Sequence, residues 1–316
     1  MIHHRHHSGS RPLLWGLSAP LFALGLLLTG LHPSTVSAAE GDTDFPWVLE
    51  ADEAMELLDN DNPTLLDTRS TLAYHTSHLP GAVRIRWKDF TPATKAERGR
   101  LLADDTLLQE RLRKLGISNE RPVLVVGAPP DNWGEDGRIV WMLRTLGHRR
   151  VALVDGGWRA LKEAGADGTI IPSSSETGDF EIDRRDDWQI DRHALRRRLD
   201  AEEVALVDTR QKREYDGATP YGESRPGHLP GAVHLHYTDL LDDDGKLKPD
   251  DALRTILKKH GILPNKSVVA YCTGGVRSAW FTVVLRHLGY GDVRNYAGSA
   301  WEWSAGPAEK YPLETD

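Results

Sequence analysis

The chain has a single cysteine, Cys272, in the segment VVAYCTGGVRSAWFTVVL. An apolar, strand-like run precedes the cysteine, and a helix-like run follows it. Backbone N–H groups of a short, glycine-containing loop between a strand and a helix point inward and stabilise an anion. We therefore predict that the pKa of the Cys272 thiol is lowered and that Cys272 is a nucleophile. The alternative is a buried, inert cysteine at the end of a strand.

The predicted active-site loop has the sequence CTGGVR and consists of Cys272, Thr273, Gly274, Gly275, Val276 and Arg277. A helix is expected over residues 278–288, directly after Arg277, and its N-terminus adds partial positive charge. Two roles for Arg277 stay open. The guanidinium could hold the anionic group of a substrate, or it could begin the helix and pair with an acid such as Asp208.

Composition excludes several functional classes. Hydrophobic residues make up 39% and charged residues 27%, which is typical of a globular protein. The formal net charge of -8 gives no broad basic surface, so no nucleic-acid partner is predicted. The sequence has no zinc-ligand spacing and no nucleotide-binding glycine motif, so neither a metal nor a cofactor is predicted.

The N-terminal residues 1–39 have the pattern of a secretory signal peptide. A basic start precedes an apolar stretch, and the small residues Ser37, Ala38 and Ala39 provide a cleavage site. We expect export, with the periplasm as the destination. In the alternative, the apolar stretch is retained as an anchor, and only then is the membrane a partner. The lone cysteine cannot form an internal disulfide, so in an oxidising compartment it must be buried or used.

The remaining sequence contains an internal repeat. LLDTR at 65–69 recurs as LVDTR at 206–210, and HLPGAV at 78–83 recurs unchanged at 228–233. RPVLVVG at 121–127 likewise parallels KSVVAYC at 266–272. The order and spacing of the matches predict a duplicated domain. We place the first domain at 40–172, a polar linker at 173–187 and the second domain at 188–316.

Short β-branched runs, among them Val123–Val126 and Val151–Val154, are predicted strands and alternate with helix-like stretches in each half, which predicts an α/β fold. Each domain is expected to have a mainly parallel sheet with helices on both faces, and sites in such sheets form at the carboxyl ends of strands. Cys272 lies at one such end, whereas Gly127 takes the corresponding place in the first half. The loop after Gly127 carries Asp131, Glu135 and Asp136, a charge unsuited to an anion cradle.

These motifs resemble those of the tandem-domain rhodaneses. The resemblance is carried by VDTR at 207–210, GHLPGAVHL at 227–235, YCTGGVRSAW at 271–280 and YAGSAWEW at 296–303. It implies two rhodanese-like domains, the first inactive and the second catalytic. It also implies sulfur transfer through a persulfide on Cys272, without a cofactor. The implied donor is thiosulfate or 3-mercaptopyruvate, and the implied acceptor is cyanide or a thiol.

Two further arginines are weaker candidates for substrate binding. Arg210 and Asp208 recur in the first half as Arg69 and Asp67, which favours a structural role. Arg225 belongs to an insertion present only in the second half, so it is a candidate for the substrate pocket. Relatives with thiosulfate or mercaptopyruvate activity tend to carry a further cation shortly after the DxR motif.

At the place of that cation this chain has Arg213 and then Glu214, so the preferred donor stays open. His78 and His228 recur in both halves and are interpreted as packing residues. The tryptophans that follow the last strand of each half are expected to pack in the core. One of them could instead form part of the pocket wall. They are Trp158, Trp301 and Trp303.

Two other functions are kept as alternatives. The first is a sulfur-carrier or partner-binding module with little turnover of small molecules, for which the sequence names no protein partner. The second is a cysteine phosphatase-like enzyme. Related phosphatases have five residues between the cysteine and the arginine, whereas this chain has only Thr273 to Val276. The smaller ring suits sulfur better than a phosphoryl group.

Overall fold

Two parallel sheets form the framework of the computed structural model, which describes residues 45–200 and 204–315. The predicted signal peptide lies outside the described residues. Within the two described ranges, no helix has both the length and the apolar character needed to span a bilayer.

The first sheet has the strand order β1-β5-β4-β2-β3. All of its strand pairs are parallel. Its strands are β1 (Val48–Leu49), β2 (Thr64–Asp67), β3 (Val83–Arg84), β4 (Val123–Val126) and β5 (Val151–Val154).

The second sheet repeats this arrangement with four strands in the order β7-β6-β8-β9, again all parallel. The strands are β6 (Ala205–Asp208), β7 (Val233–His234), β8 (Val268–Tyr271) and β9 (Val293–Asn295). The α/β fold and the parallel sheets predicted from the sequence are confirmed.

Ten helices flank the sheets in the described part of the chain. Those of the first half are α1 (Ala51–Asp61), α2 (Thr71–Thr76), α3 (Asp105–Arg113), α4 (Glu135–Thr145) and α5 (Gly157–Glu163). Those of the second half are α6 (Arg192–Asp200), α7 (Lys212–Tyr215), α8 (Asp250–Lys259), α9 (Arg277–His287) and α10 (Ser299–Ala305). Helix α9 begins one residue earlier than predicted, so Arg277 lies in its first turn.

Alternation along the strands divides the core into layers. Val123 and Val125 of β4 face a large central cluster, whereas Leu124 and Val126 face an outer cluster of the first domain. The central cluster also contains Val268 and residues of α4 and α9. The two halves therefore share one hydrophobic core, in which α4 and α9 are buried almost throughout.

The predicted linker, residues 173–187, follows the surface of the first domain. Phe180 is fully buried, and its carbonyl accepts a hydrogen bond from Arg113 Nε at 2.8 Å. Its amide donates to the carbonyl of Ile117. The linker is thus fixed by packing and by backbone hydrogen bonds.

Candidate active site

The loop after β8 is held by the beginning of α10. The Cys272 amide donates to Ser299 Oγ at 3.1 Å, and the Ala300 amide donates to the Cys272 carbonyl at 3.0 Å. The Trp301 amide donates to the Thr273 carbonyl at the same distance. These bonds fix the position of the sulfur relative to the last helix.

Both glycines of the loop are required by close contacts. Gly275 has a φ of +75°, and a Cβ atom there would lie 2.4 Å from the Ala297 carbonyl oxygen. A Cβ atom on Gly274 would lie 2.3 Å from the Trp301 ring. The loop can therefore take its course only with glycine at these two positions.

The Cys272 thiol lies in a buried, polarised environment. Only 1% of the residue is exposed, and burial by itself opposes ionisation. The Arg277 guanidinium, the amide and hydroxyl of Ser278 and the Gly274 amide outweigh that effect, so the pKa of Cys272 lies below its ordinary value. Ser278 Oγ is 3.6 Å from Cys272 Sγ and 2.7 Å from Asn295 Oδ1. The predicted direction of the pKa change is confirmed.

Arg277 forms a bidentate ion pair with Glu214 of α7. Its two terminal nitrogens donate to the carboxylate at 2.7 and 2.8 Å, and both side chains are almost fully buried. Thr273 Oγ1 completes the cluster, 2.7 Å from both partners. Burial alone would raise the pKa of Glu214, but Arg277 and Thr273 lower it below its ordinary value.

The structure favours pairing over anion binding for Arg277. The partner is Glu214, however, and not Asp208 as the sequence analysis suggested. The face of the guanidinium lies 5.1 Å from the Trp133 ring and 5.9 Å from the Tyr221 ring. Because the carboxylate and the rings occupy its surroundings, Arg277 acts as a fixed charge beside the thiolate.

The two weaker candidates do not line the cavity beside Cys272. Arg210 pairs with Asp208 at 2.6 Å and donates to the Gly227 carbonyl, just as Arg69 pairs with Asp67 and donates to the Ser77 carbonyl. Its structural role is confirmed.

Arg225, the candidate for the substrate pocket, is engaged by the backbone. Its guanidinium donates to four backbone carbonyls, those of Trp303, Ser304, Gly306 and Tyr311. The side chain therefore fastens the insertion to the C-terminal segment and does not line the cavity at Cys272.

A cavity of about 380 Å³ opens from the sulfur toward solvent, and we call it the active-site cavity. Residues of both domains line it: Trp87, Lys88, Arg98, Trp133, Glu135, Tyr221, Cys272, Thr273, Gly274, Val276, Arg277 and Trp301. Four aromatic rings form much of the wall, and the cavity has a size typical of small-molecule sites.

The repeated histidines and the tryptophans behave largely as predicted. His78 stacks on Tyr74 and His228 stacks on Tyr215, each with ring centroids 3.7 Å apart. Trp303 is fully buried in the core, whereas Trp301 forms part of the cavity wall.

Several site residues were not predicted from the sequence, although the repeat indicates the ion pair between Arg277 and Glu214. Aligning RSTLAY at 69–74 with RQKREY at 210–215 places Glu214 opposite Ala73. Aligning the helices that follow the two loops places Arg277 opposite Glu135. An acid and a base that are present together in one half and missing from the other indicate a pair.

Comparison with known proteins identifies the domains. The family model for the rhodanese-like domain matches twice, at residues 50–164 and 191–306. The chain is 30% identical to the sulfur carrier protein TtuD of Thermus thermophilus over 86% of this chain and 94% of that protein. It is 30% identical to a thiosulfate sulfurtransferase of Pseudomonas aeruginosa over 84% of this chain and 96% of the relative.

Solved structures show the same fold. The 3-mercaptopyruvate sulfurtransferase SseA of Escherichia coli superposes with a TM-score of 0.71 at 22% identity, covering 80% of this chain and 98% of that one. The ergothioneine biosynthesis enzyme of Chlorobium limicola superposes with a TM-score of 0.75 at 21% identity, covering 85% and 70%. With two matching domains and a single cysteine in the loop of the second, the chain belongs to the rhodanese family.

Proposed function

We propose that this protein is a sulfurtransferase that carries a sulfane sulfur as a persulfide on Cys272. The observation that carries the proposal is a lone thiol with a lowered pKa at the floor of a cavity open to small molecules. The names of the relatives support the sulfurtransferase class. A pKa below the ordinary value favours the thiolate, which is the nucleophilic form of cysteine.

In the first half-reaction the Cys272 thiolate attacks the sulfur that is to be transferred. With thiosulfate, a new S–S bond forms to the outer sulfur, the original S–S bond breaks, and sulfite leaves with its electron pair. With 3-mercaptopyruvate, the C–S bond breaks instead, and the enolate of pyruvate takes up the proton of the thiol. The donors that stabilise the thiolate, the amides of Gly274 and Ser278 and the charge of Arg277, are also positioned to stabilise the persulfide anion.

In the second half-reaction an acceptor nucleophile attacks the outer sulfur of the persulfide. Cyanide gives thiocyanate and a thiolate gives a new persulfide, and in both cases the S–S bond to Cys272 breaks and the Cys272 thiolate is regenerated. This is a double-displacement scheme with a covalent intermediate. The sulfur is anionic both as thiolate and as persulfide, and Arg277, held in place by its buried pair with Glu214, places a positive charge beside both forms.

Both thiosulfate and 3-mercaptopyruvate are proposed donors. The Pseudomonas relative is named for thiosulfate, and the SseA structure is named for 3-mercaptopyruvate. A cavity of about 380 Å³ is roomy enough for either compound.

Intact-mass measurement tests the persulfide directly. The reduced protein is freed of reductant and incubated separately with each donor, and Cys272→Ala is treated in parallel. A gain of one sulfur atom in the wild type alone supports the proposal, and the reagent that produces it identifies the donor. No gain with either donor, while iodoacetamide still alkylates Cys272, would exclude small-molecule sulfur transfer.

A second candidate function is a sulfur carrier that passes the persulfide to a protein. The relative TtuD is named a sulfur carrier protein, and the cavity opens at the exposed side chains of Lys88 and Trp133. Fast loading followed by slow release to cyanide and to small thiols would favour this function. Rapid steady-state turnover with a small thiol would favour the enzyme.

We also propose that the protein is exported and that the N-terminal segment is removed after Ala38 or Ala39. The support is the sequence pattern of residues 1–39. Determining the N-terminus of the protein recovered from the periplasmic fraction of an expressing bacterium tests this proposal. A chain that starts at its initiator residue and sediments with membranes would indicate a retained anchor.

A further inference from the structure

Two cations in the active-site cavity are not used by the mechanism above. Arg277 is committed to Glu214, but Lys88 and Arg98 also line the cavity. Within the described residues neither of these two side chains forms a salt bridge. Both belong to the first domain, which has no nucleophile of its own.

The rings that face these cations place them along the cavity wall. The Lys88 ammonium lies 5.7 Å from the Trp87 ring centroid, and the Arg98 guanidinium lies 6.0 Å from that of Trp301. Among the lining residues, Glu135 is an acid, and Trp87 Nε1 donates to its carboxylate at 3.2 Å. Apolar walls and a pair of cations suit a small ligand with an apolar body and an anionic end.

We propose that Lys88 and Arg98 form an anion subsite that holds the carboxylate of a mercapto acid while its sulfur reaches Cys272. The inference rests on the proposed sulfur transfer at Cys272 and names the substrate class of that site. In this arrangement the inactive domain selects the donor, and the catalytic domain supplies the nucleophile.

A pair of reagents that alkylate Cys272 tests the subsite without any transfer of sulfur. Iodoacetate and iodoacetamide have nearly the same shape, but only iodoacetate carries a carboxylate. At low ionic strength, we expect Lys88→Gln and Arg98→Gln each to lower the ratio of the iodoacetate rate constant to the iodoacetamide rate constant by about 3- to 10-fold. Lys95→Gln, which removes an exposed charge from the same segment outside the cavity, should leave the ratio unchanged.

Donor kinetics then connect the subsite to turnover. The same two variants should raise the KM for 3-mercaptopyruvate and leave the rate at saturation nearly unchanged. An unchanged alkylation ratio in the Lys88→Gln/Arg98→Gln double variant would overturn the subsite. Failure of every donor to load the wild type would instead overturn the proposed function, because the alkylation ratio can be measured without it.

A different observation concerns Arg138 of α4. This side chain is fully buried and donates to the carbonyl of Gly275 at 3.1 Å and to that of Gly99 at 2.7 Å. Its Nε atom has no hydrogen-bond partner, and within the described residues it forms no salt bridge. The guanidinium lies 4.5 Å from the Trp141 ring centroid, which offsets part of the cost of burial, and without a carboxylate the remaining charge favours a nearby anion.

The Cys272 thiolate is the anion whose charge acts on Arg138. Burial lowers the pKa of Arg138 to about 9, and the charge of Cys272 opposes that change. Three other side chains interact electrostatically with the sulfur. They are Ser278, Arg277 with its partner Glu214, and Tyr237, whose hydroxyl donates to the Pro130 carbonyl. Arg138 differs from Arg277 because no carboxylate neutralises it.

We further infer that Arg138 is a positioning residue, which holds the Gly275 carbonyl of the active-site loop and stabilises the thiolate across the domain boundary. The pH dependence of Cys272 alkylation by iodoacetamide tests this role. Arg138→Met should move the midpoint upward by about 0.5 to 1 pH unit, and Arg138→Lys should restore most of it. Arg144→Met, a buried change farther along α4, should not move the midpoint.

A wild-type midpoint in folded Arg138→Met would overturn the inference. If that variant does not fold, Arg138→Gln replaces it, because glutamine keeps a donor and removes the charge. A wild-type midpoint in Arg138→Gln would likewise overturn the inference, whereas an upward movement reversed by lysine would support it.

Discussion

The two loops that follow β4 and β8 begin at equivalent places and differ in every group that matters for chemistry. The strand partners of Val126 and Tyr271, the last residues of the two strands, are Asp67 and Asp208 of the repeated motif. Gly127 then replaces Cys272. In the helix that follows, Glu135 and Asp136 take the places of Arg277 and Ser278.

The carboxylate of Asp136 fills the space that a side chain at Gly127 would need. A Cβ atom on Gly127 would lie 2.2 Å from Asp136 Oδ2. Asp136 is fully buried, and burial raises its pKa to about 6. In this half glycine therefore stands in place of the cysteine, the neighbouring charge is reversed, and Asp136 occupies the space that a side chain at position 127 would need.

The first domain nevertheless remains part of the site. It supplies Trp87, Lys88, Arg98 and Trp133 to the cavity wall, and Arg138 donates to the loop of the second domain. The comparison teaches that the half of a duplicated fold without a cysteine in its loop can still shape the cavity at the cysteine of its neighbour.

Moving the nucleophile between the halves should have the largest effect. Cys272→Ala is expected to lower sulfur transfer by roughly 10⁴-fold or more, because no other thiol is present. Adding Gly127→Cys to that variant should not restore activity, since Asp136 occupies the space and Glu135 replaces the arginine. Steady-state turnover measures the loss of rate, and intact mass after donor treatment shows whether either variant takes up sulfur. A gain of sulfur in the double variant would contradict the view that the first loop is blocked.

Breaking the ion pair found only in the second half should have the next largest effect. Glu214→Ala leaves Arg277 buried without its partner, so we expect the free energy of unfolding to fall by about 3–5 kcal/mol. Adding Arg277→Ala should cost less than the sum of the single changes, because no charge is then left unpaired. Urea unfolding measures each variant.

Glu163→Ala is the control for this prediction. It breaks an exposed pair with Arg159, and its effect should be within about 1 kcal/mol. A loss of similar size at Glu163 and Glu214, or additive losses in the double variant, would show that burial does not set the strength of the Arg277 pair.

Neutralising the buried acid of the first half should stabilise the protein. The folded pKa of Asp136 is about 6, above the unfolded value near 3.9. The folded state therefore binds the proton more tightly, and stability declines as the pH rises from about 4 to about 6. Asp136→Asn should raise the unfolding free energy at pH 7 by about 1–3 kcal/mol and have little benefit at pH 4.

Thermal unfolding across this pH range measures the difference, with Asp131→Asn in the loop that precedes α4 as an exposed control. The same gain at pH 4 and pH 7 would indicate that the carboxylate charge is not the cause.

Removing the hydroxyl beside the sulfur should have the smallest effect. Because the pKa of Cys272 is lowered, the thiolate persists to lower pH, and alkylation slows as the pH falls through that pKa. Ser278→Ala removes one of the groups that lower it, so the midpoint should move upward by about half a pH unit. Thr282→Val is the control, since its hydroxyl donates to the Ser278 carbonyl and not to the sulfur. Equal midpoints in all three proteins would exclude the hydroxyl as a source of thiolate stabilisation.

Local patterns in the sequence determined much of the fold. The strands over Val123–Val126 and Val151–Val154 were predicted with the bounds that the structure has, because short buried runs between turn residues have few alternatives. The repeat and the family motifs indicated two rhodanese-like domains. They also indicated which loop is the candidate active-site loop, since one cysteine and two glycines adjoin a strand and a helix.

Only the tertiary structure decided what surrounds that loop. The sequence allows Arg277 to pair with Asp208 or to bind a substrate. In the fold it pairs with Glu214, which lies 63 residues away in the chain. The insertion predicts Arg225 as a substrate-binding residue, yet its guanidinium donates to four carbonyls of the C-terminal segment.

The sequence determined the place of the lone cysteine and the elements that carry it, because these depend on neighbours along the chain. The cavity wall, the partners of the arginines and the contribution of Arg138 depend on strand order and on the packing of α4 against α9. Those contacts join residues that are distant in the chain, so they are settled only when both domains share one core.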